Sequence, residues 1–226
     1  MKLKQLKTSM ILKWFLKNQI IIIICLLLII NFSGCIFGGG DDLSSKSSED
    51  LIERGWRAFQ NGNYKDSEKY FNELTKREDA YLVGHSGLGW TFLKTFKYQN
   101  AKNEFNRFFS LDSLGVYAPA DSLTRDVRAG QVLVHSALSE HGSVITTSSG
   151  FTANNATNNN WRFRFDRSIT VVDVRLLRAV SLIALSNFTD AYIMVRLVDS
   201  SFETNINTIE GRLLLVKKIE ELLFLR

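Results

Sequence analysis

Hydrophobic and polar positions recur along this chain with a period of 34 residues. Within each period, one apolar stripe at helical spacing is followed by a short polar turn and then by a second stripe. The recurring residues are Gly55, Trp56, Phe59, Tyr64, Ser67, Phe71 and Leu74 in the first unit, and Gly89, Trp90, Leu93, Tyr98, Ala101, Phe105 and Phe108 in the second. The pattern predicts two amphipathic helices per unit, which bury their apolar faces by stacking on neighbouring units.

Two further copies of the pattern follow. The later one keeps the internal spacing with Ala179, Ile183, Phe188, Ala191, Val195 and Val198. The other copy lies between the second unit and this later one. There, residues 121–139 predict a first helix, and the offsets of a second helix are occupied by His141, Val144, Ser148 and Phe151. This copy is degenerate because His141 replaces an aromatic residue and Ser148 replaces a large apolar one.

Small residues occupy fixed columns in these units. Gly55, Gly89 and Ala179 stand in first helices, and Ser67, Ala101 and Ala191 stand in second helices. Small side chains let two helices approach closely, while larger neighbours fill the seam between them. The seam residues are Tyr64, Phe71, Tyr98, Phe105, Phe188 and Val195.

The second unit resembles the tetratricopeptide repeat family, whose Leu-Gly, aromatic, aromatic, Ala and aromatic positions match Leu88-Gly89, Phe92, Tyr98, Ala101 and Phe105. The first unit departs from that pattern at Arg54. The resemblance implies an all-α solenoid of about three to four helical hairpins over residues 50–226, with an insert at about 150–167 and a C-terminal capping helix.

In that family, first helices line a concave groove that holds peptide segments or partner helices. The family register places five residues in the groove: Ile52, Trp56, Phe59, Trp90 and Leu93. Paired tryptophans would form an apolar contact stripe there, since aromatic residues dominate binding energy at interfaces. The alternative is that Trp56 and Trp90 pack between neighbouring repeats, because a one-residue rotation of the first helix exchanges the two positions.

The insert has two parts. Residues 150–160 predict a polar loop, and residues 161–165 alternate apolar and basic side chains with period two. Such alternation favours a strap that buries Trp161, Phe163 and Phe165 on the helices while the arginines stay in water. The other interpretation is an aromatic and basic contact site for nucleic acid or anionic glycans.

The chain ends with a predicted helix over residues 207–226. Its apolar residues Ile209, Leu213, Val216, Ile219 and Leu223 fall mostly along one face. A solenoid needs a closing helix because its terminal unit would otherwise expose its seam. An amphipathic helix lying on a membrane surface is the alternative.

The amino terminus predicts a targeting segment. Five lysines and no acidic residue precede eleven apolar residues at positions 20–30, which are too few to span a bilayer. Phe32-Ser33-Gly34-Cys35 resembles the bacterial lipobox, which implies a signal peptide over 1–34, lipidation of Cys35 and a flexible tether over 35–49. An uncleaved signal anchor is the alternative. Ile36 replaces the Asp that retains some lipoproteins in the inner membrane, so the resemblance favours the outer membrane.

The net charge of +5 comes from those lysines, since the rest of the chain has 23 basic and 23 acidic side chains. This balance argues against a nucleic-acid partner. Two cysteines and three scattered histidines give no metal site, and no catalytic or nucleotide-binding motif is present. We therefore predict no enzyme, cofactor, metal or small-molecule substrate, and expect a membrane-anchored lipoprotein scaffold in the cell envelope that binds protein or peptide partners. The alternatives are an accessory lipoprotein of outer-membrane assembly and a cell-wall glycan binder or enzyme.

Overall fold

The computed structural model describes residues 42–112 and 122–226, and this part of the chain is an all-helical fold. The ten α-helices of this part of the chain are α1 (Ser48–Gln60), α2 (Tyr64–Leu74), α3 (Tyr81–Lys94), α4 (Tyr98–Leu111), α5 (Ser122–Ala137), α6 (His141–Thr147), α7 (Ala156–Asn159), α8 (Val171–Ala184), α9 (Phe188–Arg196) and α10 (Ile209–Phe224). Within the described residues no strand forms, and one isolated bridge joins Arg162 to Thr170.

Side-chain caps fix several helix starts. Ser47 accepts a hydrogen bond of 3.2 Å from the backbone N–H of Asp50 at the start of α1. Asn63 and Asn187 do the same for α2 and α9. These caps satisfy backbone donors that have no partner inside the helix.

The hairpins α1/α2, α3/α4, α5/α6 and α8/α9 share one kind of turn. A residue with positive φ precedes each second helix by two positions: Gly62 (74°), Phe96 (59°), Ser139 (58°) and Ser186 (61°). Left-handed backbone favours glycine, yet three of the four hairpins use other residues. Packing between the helices therefore fixes this turn even where the sequence does not favour it.

Apart from the short α7, helices that follow one another in sequence pack together, and the first helices α1, α3, α5 and α8 also contact in succession. Of the predicted packing residues, nine are buried: Gly55, Ser67, Phe71, Gly89, Ala101, Phe105, Ala179, Ala191 and Val195. Tyr64, Tyr98 and Phe188 are partly buried. A Cβ added at Gly55 would come within 2.9 Å of the Phe71 ring, which is closer than side chains pack. The small residue is thus required by the close approach of α1 and α2.

The structure differs from the sequence predictions in two elements. The polar segment 150–160, predicted to be a loop, contains the short helix α7. Asn155 caps the start of this helix, since its side-chain oxygen accepts a hydrogen bond of 2.8 Å from the N–H of Asn158. In α10, the side that faces α8 and α9 carries Gly211, Leu215 and Ile219 rather than the full predicted stripe. Ile209 and Leu213 are exposed because this helix has apolar residues on more than one side.

No helix in the described ranges has both the length and the apolar character needed to cross a bilayer. Residues 1–34 and Cys35 lie outside the described residues, so the predicted signal peptide and lipidation site receive no structural description.

Candidate functional site

The surface where the first helices meet is covered by a segment of the same chain, residues 161–170, which we term the strap. Its burial follows the predicted alternation: Trp161 and Phe163 are buried and Arg162 and Arg164 are exposed, but Phe165, which was predicted to be buried, is only partly so. The strap turns back on itself, since the N–H of Phe163 donates to the carbonyl of Ile169 at 2.9 Å. Of the two interpretations of this segment, the structure shows the strap.

Aromatic stacking attaches the strap to the helices. The Phe163 ring lies parallel to Trp90 with centroids 3.8 Å apart, and the Phe165 ring lies parallel to Trp56 at 3.7 Å. Phe163 also contacts Phe59 edge-on at 6.1 Å. The two stacking distances lie below the range for favourable aromatic pairs, and the edge-on distance lies within it.

The five predicted groove residues therefore meet protein rather than an open surface. Trp90 is completely buried, Trp56 and Phe59 are nearly so, and Ile52 and Leu93 are partly buried. Trp56 further contacts Phe71 at 4.7 Å. In this arrangement the tryptophans belong to the packed interior, and the strap occupies the place that the family resemblance reserves for a bound peptide.

Asp126 on α5 holds the strap by polar contacts. It accepts hydrogen bonds from the indole N–H of Trp161 at 3.1 Å and from Nε of Arg164 at 3.2 Å. The side chain is only 5% exposed. Burial raises the pKa of Asp126 from its ordinary value of 3.8 to about 6, although Arg164 and the Trp161 N–H both oppose the rise.

Two ion pairs lie at the turn of the strap and just after its end. Lys94 at the end of α3 pairs with Asp166 in its turn. The last residue, Arg226, donates from Nη2 to Asp173 Oδ2 at 2.8 Å and to the carbonyl of Ser168 at 3.0 Å. Asp173 also completes a capping box with Thr170 at the start of α8. The strap is thus joined to α3, α5, α8 and the chain terminus at once.

Sequence reasoning did not single out Asp126, Lys94 or Asp166. Charged residues on predicted helices are normally solvated, and these three give no local signal of another role. The contacts join positions 72 residues apart for Lys94 and Asp166 and 35 apart for Trp161 and Asp126. Only the tertiary structure brings them together.

The histidines make separate local contacts. His85 Nδ1 lies 2.6 Å from Glu104, His135 Nδ1 lies 2.6 Å from Glu140, and His141 Nδ1 lies 3.3 Å from the Ser181 hydroxyl. Among the described residues, no group of three or more His, Cys, Asp or Glu side chains is arranged to hold a metal ion. The three contacts tie neighbouring helices together.

Several apolar side chains of α10 are left uncovered. Leu213 is 63% exposed and Phe224 is 91% exposed, and both lie on the side opposite Leu215 and Ile219. The other apolar residues left open on this helix and at its end are Ile209, Leu214, Leu223 and Leu225. These residues form two groups, one near each end of the helix, and exposed apolar groups on a surface mark interaction sites in soluble domains.

Comparison with protein-family models, with curated proteins and with solved structures finds no match in any of the three. The likeness to tetratricopeptide repeats accordingly rests on the residues and hairpins described above.

Proposed function

We propose that this chain is a membrane-anchored scaffold that binds a protein partner through the outward side of α10. Four hairpins with the same turn form a tetratricopeptide-like solenoid, and α10 closes its last seam. The exposure of Leu213 and Phe224 carries this proposal. A terminal repeat normally presents a polar outer face for solubility, so an apolar one favours association.

The filled groove directs the proposal to α10. A peptide entering between the first helices would have to displace Phe163 from Trp90 and break the contacts of Asp126 with the strap. That exchange would expose a large part of the apolar core. The α10 surface, in contrast, is open without any rearrangement of the described residues.

The anchor belongs to the same proposal. Cys35 in its lipobox-like context is the attachment point in the cell envelope, with the periplasmic face of the outer membrane favoured by Ile36. Residues 36–47 then connect the anchor to α1, which starts at Ser48. The predicted flexible tether over 35–49 is wrong for its second half, because Leu43–Ser45 form a short 3-10 helix and the Arg77 guanidinium donates to the carbonyls of Leu43 at 2.8 Å and Lys46 at 2.6 Å.

Capture of partners from detergent-solubilised membranes tests the proposal. Leu213→Glu places a carboxylate in the middle of the α10 surface, where an apolar partner would have to bury it, so we expect captured partner to fall about tenfold. Circular dichroism should stay unchanged because Leu213 does not contribute to the buried side of α10.

Phe96→Glu is the matched control, since Phe96 is 76% exposed on the turn between α3 and α4. This variant should capture partner as the wild type does. Equal capture by Leu213→Glu and the wild type would refute binding through α10.

A further inference from the structure

The most exposed line of α10 has a self-complementary order of side chains. Leu213, Lys217, Glu220 and Phe224 are spaced by four, three and four residues, which places them on one side of the helix. Leu215 and Ile219 are buried on the opposite side. All four residues of this line are exposed. Read in either direction, the line has an apolar residue at each end and two opposite charges in the middle.

The two central charges are not used within the described residues. Neither Lys217 nor Glu220 forms a salt bridge with another described side chain, whereas the adjacent Lys218 pairs with Asp199 and Glu221 at 3.0 Å each. Charges of the inner side of α10 thus have partners in the same chain, while those of the outermost line do not.

We infer that the partner of α10 is a second copy of this chain, docked with its own α10 antiparallel. A two-fold axis midway between residues 218 and 219 sets Leu213 of each copy against Phe224 of the other. The same axis sets Lys217 of each copy against Glu220 of the other. Every member of the line therefore meets a complementary side chain, as an isologous interface requires.

This inference deepens the proposed function and rests on it. One helix per copy, about 24 Å long at 1.5 Å per residue, buries less than the roughly 1,200 to 2,000 Å² of a standard stable interface. The contact is weak for copies free in solution. Anchoring both copies to one membrane raises their effective concentration and makes the same contact sufficient.

Charge-reversing substitutions, introduced into two differently tagged full-length chains, test the inference. The chains are reconstituted together in phosphatidylcholine vesicles and treated with a carbodiimide, which joins an amine to a touching carboxylate, and the second tag is then measured after capture of the first. Two wild-type chains should be captured together. When both chains carry Lys217→Glu, or both carry Glu220→Lys, co-capture should fall about tenfold. In each case two pairs of like charges face one another across the two-fold axis.

The mixture of Lys217→Glu with Glu220→Lys should recover wild-type capture, because the opposite charges meet again. Lys65→Glu, the same charge change on the exposed side of α2, is the control and should behave as the wild type. Absence of co-capture for the wild type, undiminished capture for the single variants, or no recovery in the mixture would each overturn the second copy as partner. If wild-type chains do not join while Leu213→Glu still loses another protein, the inference fails and the proposed scaffold function stands.

Discussion

At the scale of the residue, the burial of Asp126 links the attachment of the strap to pH. Its carboxylate receives an indole N–H and a guanidinium N–H in a position almost without water. Desolvation is the larger effect, so the pKa of Asp126 rises to about 6 despite both contacts. The folded protein consequently binds this proton more tightly than the unfolded chain does. Asp126 therefore contributes stability below about pH 4 that is lost as the pH rises through about 6.

Asp126→Asn should remove this dependence, because the amide keeps an oxygen for the Trp161 N–H and does not titrate. A pKa difference of about two units corresponds to about 3 kcal/mol. We therefore compare the free energies of unfolding of the wild type and the variant at each pH. The difference, wild type minus variant, should fall by about 3 kcal/mol between about pH 3.5 and pH 7. Urea titrations at intervals across this range measure it, and a difference that stays constant with pH would contradict the assignment.

At the scale of the element, the strap acts as part of the core. Phe163 lies against residues of two different first helices, Trp90 of α3 and Phe59 of α1. A single non-helical segment therefore joins two hairpins that also contact through α2. Unlike the strap, α10 is covered on one side only. That side packs on the preceding hairpin, and the other side keeps its apolar residues uncovered.

Phe163→Ala should lower the free energy of unfolding by about 3–5 kcal/mol, the usual cost of removing a buried phenylalanine. Arg162→Ala is the control from the same strap, since its side chain is exposed and its bridge to Thr170 is made by the backbone. It should change stability by less than about 0.5 kcal/mol. Similar melting curves for the two variants, measured by circular dichroism, would show that the strap is not part of the core.

At the scale of the whole molecule, the proposed scaffold has three parts: a lipid anchor, a set of helical hairpins capped by α10, and the apolar outward side of α10. The compact unit that the structure describes runs over Leu43–Arg226. Its predicted attachment precedes it in the chain at Cys35. In this proposal, lipidated copies lie on one membrane, where their raised effective concentration would make even a weak contact through α10 sufficient for association.

Cys35→Ala should abolish lipidation, since no thiol remains at the lipobox position. Intact mass spectrometry of membrane and soluble fractions should find the variant either as an uncleaved precursor or released from the membrane. Cys25→Ala, within the apolar run of residues 20–30, is the control and should keep the lipid. A processed Cys35→Ala protein that stays in the membrane with the lipid mass would refute the anchor.

The sequence by itself determined the helices and their pairing. Periodicity marked the hairpins because an amphipathic helix records its buried side every three to four residues. Ser47 and Asn63 cap the starts of α1 and α2, and such residues are a local signal because they satisfy neighbouring backbone groups. Alternation in residues 161–165 likewise predicted the burial of Trp161 and Phe163 in the strap. Each of these signals is local in the chain.

The tertiary structure alone decided what each apolar surface meets. The sequence pattern at Trp56 and Trp90 is the same whether these residues face a partner, a neighbouring repeat or the strap. Periodicity indicates that a side chain is buried but not which segment covers it, and here the strap covers both. Asp126 and Trp161 are far apart in sequence and gave no sign of their contact. For α10, apolar residues on several sides left the buried side ambiguous until its packing on α8 and α9 selected Leu215 and Ile219. Contacts between distant segments depend on shape, which a one-dimensional pattern does not contain.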